Sequence, residues 1–154
     1  MNKRDYTVLG LMSGTSCDGL DLMLCRIFFE NGWKYHIIKF VTYPYTSDEM
    51  TALKMMSSLS AMELLSAHAK WGNIFGEKAR EFLQSNAEVK VDFIASHGHT
   101  VFHQPNEGFT FQMGLGANIA VKTQLPVVCD FRTSDIAWGG QGAPLVPLGD
   151  ALFF

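Results

Sequence analysis

The sequence predicts an α/β fold in which an antiparallel meander and then parallel strands form one mixed sheet flanked by helices. Three observations carry this. Tyr6 to Tyr43 is a series of apolar runs separated by turn formers, with a strong hairpin signal inside it. Ser60 to Gln84 then changes to three-to-four spacing of large apolar residues. Val91 to Ser96 and Pro126 to Cys129 are short, nearly continuous apolar runs, as expected of parallel strands buried on both faces.

The elements follow in order. Tyr6 to Met12 is an apolar strand closed by a Gly/Ser/Thr turn, and Asp21 to Phe29 is a second strand with Met23, Cys25, Ile27 and Phe29 on one face. Asn31-Gly32 links it to a third strand, Trp33 to Tyr43, because both turn residues tolerate positive φ. Ser47 ahead of Asp48-Glu49 is the expected N-cap of a first helix. Ser60-x-x-Glu63 fits a capping box opening a long helix to about Gln84. Leu64, His68, Trp71, Phe75 and Phe82 form its core stripe. Strands at Val91–Ser96, Phe109–Met113 and Pro126–Cys129 enclose a short helix at about Ala117–Thr123. The first, fourth and last main strands can then lie parallel and adjacent, a ribonuclease-H-like arrangement.

The 154 residues are 47% hydrophobic and 18% charged, with a formal net charge of −3. Such a chain buries a core without disulfides or metals, and its acidic balance argues against a nucleic-acid-binding face. Cys17, Cys25 and Cys129 are odd in number and lack C-x-x-C spacing, which suits reduced cytosolic thiols. Lys3-Arg4 before Tyr6–Met12 imitates a secretory leader, but Asp5 interrupts it and no small-residue cleavage site follows. No stretch approaches the roughly 20 apolar residues of a membrane helix. A cytoplasmic protein with small-molecule partners is expected.

In open α/β sheets ligands bind beyond the carboxyl ends of the parallel strands. Three polar clusters sit there. After the first strand, Gly14 and Gly19 allow tight turns, and Ser13, Thr15 and Ser16 offer hydroxyls and successive amides to a phosphate. Asp18 and Asp21 add hard oxygen donors for a hydrated Mg²⁺. A plain hairpin turn would use similar residues, and the pattern is not a Walker loop. After the fourth strand come Ser96-His97-Gly98-His99-Thr100 and, further on, His103. Strand alternation lets His97 and His99 share a face but leaves a third zinc ligand wanting, so no metal site is assigned and hydroxyl recognition fits better. After the last strand, Asp130, Arg132 and Asp135 precede Gly139-Gly140-Gln141-Gly142. Arg132 can fork onto a carboxylate or phosphate, or pair with a neighbouring acid. Gly114-Leu115-Gly116 lacks the third glycine of a dinucleotide fingerprint. Together the clusters describe phosphoryl transfer to a polar organic acceptor.

Gly10 to Asp21, Ser96 to Thr100, Asp130 to Arg132 and Gly139 to Leu145 closely resemble the anhydro-N-acetylmuramic acid kinases, within the superfamily of actin, hexokinase and heat-shock-protein ATPases. The resemblance runs from about Tyr6 onward. It implies one lobe of a two-lobe sugar-kinase fold, with ATP and Mg²⁺ as cofactors. The implied reaction opens the 1,6-anhydro ring of an amino sugar with water and phosphorylates O6, giving N-acetylmuramic acid 6-phosphate in peptidoglycan recycling. By the same resemblance, Gly14, Thr15, Ser16, Cys17, Asp18, Gly19, Leu20 and Asp21 form the nucleotide phosphate segment. Ser96, His97, Gly98, Arg132 and Asp135 face the sugar. Family members are longer than this chain. The second phosphate loop, the catalytic aspartate and the adenosine pocket are therefore expected beyond Phe154, and residues 1–154 are expected to be an N-terminal lobe inactive alone. A homodimer is compatible with the family.

Two alternatives remain at this level. One is a non-catalytic sugar- or nucleotide-binding module of the same fold. The other is a hydrolase using Cys17 and His97, although nothing in the sequence orients that histidine as a base.

Overall fold

The computed structural model describes residues 5–154. Six strands form one sheet: β1 (Asp5–Ser13), β2 (Gly19–Phe29), β3 (Trp33–Pro44), β4 (Phe93–Gln104), β5 (Phe109–Met113) and β6 (Val127–Cys129). The helices are α1 (Ser47–Lys54), α2 (Ala61–Gln84), α3 (Gly116–Thr123), α4 (Phe131–Ala137) and α5 (Val146–Phe153). The strand order is β3-β2-β1-β4-β5, with β6 also paired to β4. β1, β2 and β3 are the predicted antiparallel meander, and β1 and β6 both run parallel to β4.

The Asn31-Gly32 turn forms as expected, with φ of 55° and 143° at the two residues. The long helix starts and ends where the sequence placed it. Ser60 Oγ accepts from the Glu63 amide while Glu63 accepts from the Ser60 amide. The first helix differs by one residue: Thr46, rather than Ser47, is its N-cap, in a reciprocal capping box with Glu49. Thr46 is extended and has an acid at its third following position, whereas Ser47 is already helical.

Leu9, Leu11, Leu20, Leu22, Leu24 and Ile94 pack under Trp71, Phe75, Ala79 and Phe82 of α2. Each fully buried large side chain contributes roughly 1.5–3 kcal/mol. The β2 residues facing this core are therefore Leu20, Leu22 and Leu24, opposite the Met23/Cys25/Ile27/Phe29 set picked out in the sequence. Both faces of β2 are apolar, so alternation alone did not say which one the helix would cover. The second face is only partly covered. Tyr35 of β3 meets Phe153 of α5 edge-on, while Val128 of β6 stays 51% exposed. The sequence expectation of burial on both faces thus fails at β6.

The fourth strand does not end at Ser96. It kinks at Gly98 and continues to Gln104. Its first half pairs with β1 and β6, and its second half turns antiparallel to β5. Between Leu11↔Ser96 and Ser13↔His99, β4 spends one residue more than β1, a bulge. Gly98 has φ +75°, and a Cβ there would stand 2.6 Å from the Met113 carbonyl oxygen. Gly98→Ala is therefore expected to lower stability by at least about 1–3 kcal/mol, measured by urea unfolding. Gly108→Ala, with φ +77° but open space around it, is the control that carries the conformational strain without the clash.

Candidate functional site

Because β1 and β6 both run parallel to the first half of β4, the segments that follow β1 and β6 and the bulge within β4 lie at one rim of the sheet. The turn after β1 is closed by the Cys17 amide, which donates to the Gly14 carbonyl at 3.1 Å. Cys17 itself is left-handed at φ 57°, and its side chain is buried. Thr15, Ser16 and Asp18 are exposed. Ser16 Oγ donates to Asp18 Oδ1 at 2.6 Å, and this hydroxyl holds the Asp18 carboxyl below its ordinary range. Asp21 Oδ1 accepts from Thr42 Oγ1 at 2.5 Å. Two ionisable acids with free oxygens thus flank a turn of exposed hydroxyls, a donor set suited to a mostly hydrated hard cation. Among the described residues, no three His, Cys, Asp or Glu side chains are grouped to hold an ion on their own.

Sequence reasoning missed what fixes this turn. Tyr45 reaches both of its ends: its amide donates to the Asp18 carbonyl at 3.1 Å, and its hydroxyl donates to Ser13 Oγ at 2.8 Å. Ser13 Oγ in turn lies 3.0 Å from His99 Nδ1, with Ser13 and His99 both buried. Burial pushes the Tyr45 phenol above its usual value and the His99 imidazole below its own. Tyr45 lies 27 residues beyond Asp18 in a connecting segment, and only the hairpin register brings it back. The one legible signal was a buried-type aromatic between Pro44 and a helix cap.

His97 and His99 do not share a face as alternation suggested. The bulge sends them to different hollows. His99 lines one of about 180 Å³ with Thr15 and Cys17, and His97 lines another of about 190 Å³ with His68, Ser96 and Gln112. Cys17 and His97 therefore do not form the nucleophile–base pair considered above. His103 Nδ1 bonds Thr110 Oγ1 at 3.2 Å.

The segment after β6 is not a loop. Phe131–Ala137 is the short helix α4, which puts the Phe131 ring 6.4 Å from that of His97. Arg132 pairs with neither nearby acid, and among the described residues it has no ion-pair partner. Its charge is close enough to join burial in lowering the His97 pKa. Asp130 Oδ1 accepts from Thr133 Oγ1, and Asp135 Oδ2 accepts from the Gly142 amide at 2.7 Å. A Cβ at Gly140 would fall on the Asp135 carboxylate, so this glycine makes room for that acid. Asp135 thus organises the Gly-rich loop with at least one of its oxygens. Gly114 and Gly116 likewise make room, for the Phe75 ring and Cys129 Sγ respectively.

The chain was compared with known proteins. A family model described as anhydro-N-acetylmuramic acid kinase matches residues 6–154. Proteins named anhydro-N-acetylmuramic acid kinase are among its relatives. That of Picosynechococcus sp. is 40% identical over 151 residues, 94% of this chain and 39% of the relative. Those of Francisella tularensis subsp. novicida and Bacillus cereus are each 39% identical, covering 100% and 96% of this chain and 43% and 41% of the relatives. The chain thus spans about two-fifths of the length of these curated relatives.

Two outcomes follow from the buried network. Tyr45→Phe removes the hydroxyl from Ser13 and is expected to lower stability by about 1 kcal/mol, with faster amide exchange across residues 14–18. His68, His97 and His99 all have folded pKa values depressed chiefly by burial. Below about pH 6.5 the unfolded chain binds protons that the folded one refuses. Stability present above that pH is therefore lost as pH falls toward the depressed values. His99→Gln should flatten this slope in urea titrations run between pH 7.5 and 5.

Proposed function

Since the chain belongs to the anhydro-N-acetylmuramic acid kinase family, we propose that it forms the N-terminal lobe of a two-lobe, ATP-dependent amino-sugar kinase. The whole protein would add water across the 1,6-anhydro bond of anhydro-N-acetylmuramic acid and move the γ-phosphoryl group of ATP to O6. The products are N-acetylmuramic acid 6-phosphate and ADP, which places the reaction in cytoplasmic peptidoglycan recycling. The observation that carries this reading is the adjacency of the β1 and β6 ends to the bulge of β4, which gathers three polar segments at one rim.

The residues divide the work by chemistry. Thr15 and Ser16, with the amides of the Gly14–Asp21 segment, suit the transferring phosphates, and the left-handed Cys17 keeps the turn tight. Asp18 and Asp21 suit a hydrated Mg²⁺, which when bound neutralises charge on the phosphate oxygens. The unpaired Arg132 suits the carboxylate of the sugar's lactyl group. Ser96 and His97 suit its neutral part, Gly98 shapes the wall between them, and Asp135 holds the loop behind Arg132. The base that activates water belongs to the part of the family's length that residues 1–154 do not span.

A protein extended to the relatives' full length is expected to convert anhydro-N-acetylmuramic acid and ATP to the 6-phosphate, followed by mass spectrometry. Residues 1–154 alone are expected to give none. Arg132→Ala in the extended protein should raise the sugar KM roughly tenfold or more while sparing that for ATP. No ATP consumption by the extended protein with this sugar would reject the reading.

A further inference from the structure

On the side of the sheet away from α2, strand register places Met23 beside Phe40, Cys25 beside Ile37 and Ile27 beside Tyr35. None of these side chains carries a charge, and Phe40, Ile37 and Tyr35 remain 58%, 49% and 43% exposed. Apolar side chains exposed side by side in this way mark an interaction surface. The strands behind them add a second reason for a cover, because parallel strands such as β1, β4 and β6 are ordinarily packed on both faces.

α5 lies over part of this face, where its Phe153 ring meets that of Tyr35 at 5.2 Å and Phe154 meets it at 6.0 Å. Beside it is a groove of about 330 Å³ lined by Val8, Met23, Cys25, Ile27, Tyr35 and Phe153. α5 also leaves Leu148 and Leu152, one helical turn apart, exposed. Whatever fills the groove therefore meets an apolar sheet floor and an apolar helix at once.

A small ligand would call for several convergent polar groups, and among the groove's side chains only Tyr35 has one. A second copy stacked face to face is also disfavoured. Packed sheets stand about 10 Å apart, and α5, itself about 10 Å thick, would hold them away from each other. The length of the relatives supplies another occupant: about three-fifths of it lies outside residues 1–154. We infer that an amphipathic helix from that further part of the protein packs into the groove alongside α5 and closes this face of the sheet. The inference rests on the two-lobe reading above and adds to it a contact away from the polar rim.

The test compares residues 1–154 with the protein extended to the relatives' full length. Met23 is the first probe, oxidised by hydrogen peroxide with free methionine as the rate standard and followed by peptide mass spectrometry. It is expected to react at least about tenfold more slowly in the extended protein, at every protein concentration tried. The second probe is a photoreactive benzophenone side chain at Ile37 of the extended protein. It is expected to cross-link within one molecule, to a segment beyond residue 154 with apolar residues at three-to-four spacing. Equal Met23 oxidation in the two proteins would overturn the inference. Protection that grows with concentration, or cross-links between two copies, would overturn it in favour of self-association. An exposed Met23 in an extended protein with full kinase activity sinks only this contact. A protected Met23 without kinase activity sinks only the reaction.

Discussion

The bulge at Gly98 is the constraint on which the site depends. β4 must stay in register with β1 and β6 through Ser96 and then turn to pair with β5, and the change is made within two residues. Only a residue without Cβ fits under the Met113 carbonyl at φ +75°. The extra residue breaks the alternation of side chains. As a result His97 and His99 serve two hollows at one rim, one beside the turn after β1 and one beneath α3.

Around that kink the polar groups are held in defined chemical states. Burial keeps His68, His97 and His99 neutral, and each Nδ1 is committed to a single partner. At this end of the sheet Lys54 lines the hollow beside Thr15 and His99, Arg132 follows β6, and Asp18, Asp130 and Asp135 are each tied to a local donor. Tyr45 contributes by tying Ser13 and Asp18 together across the turn, which holds its amides and hydroxyls in place.

Much of the fold was legible because its signals are local. The Asn31-Gly32 hairpin, the Ser60/Glu63 box and the strip of Trp71, Phe75 and Phe82 depend on neighbours within a few residues, and each formed as expected. The polar stretch from Ser96 to Thr100, expected after the fourth strand, lies inside β4 at its bulge. The errors fell where two elements compete. Thr46 displaced Ser47 as a cap, and the apparent Arg/Asp loop became α4. The covered face of β2 was decided by where α2 packs.

The sequence by itself therefore determined the family and the order and type of the elements from β1 to β6, but not α4 or α5, since turn, cap and periodicity preferences act over a few bonds. Tertiary structure alone decided the roles of individual polar side chains. Whether Asp135 meets a ligand or Gly142, whether Arg132 is paired, and which atom of Gln112 is left free depend on groups brought close from distant parts of the chain. Hydrogen bonds act only at contact distance, and no local pattern in the chain encodes which contacts the folded sheet will make.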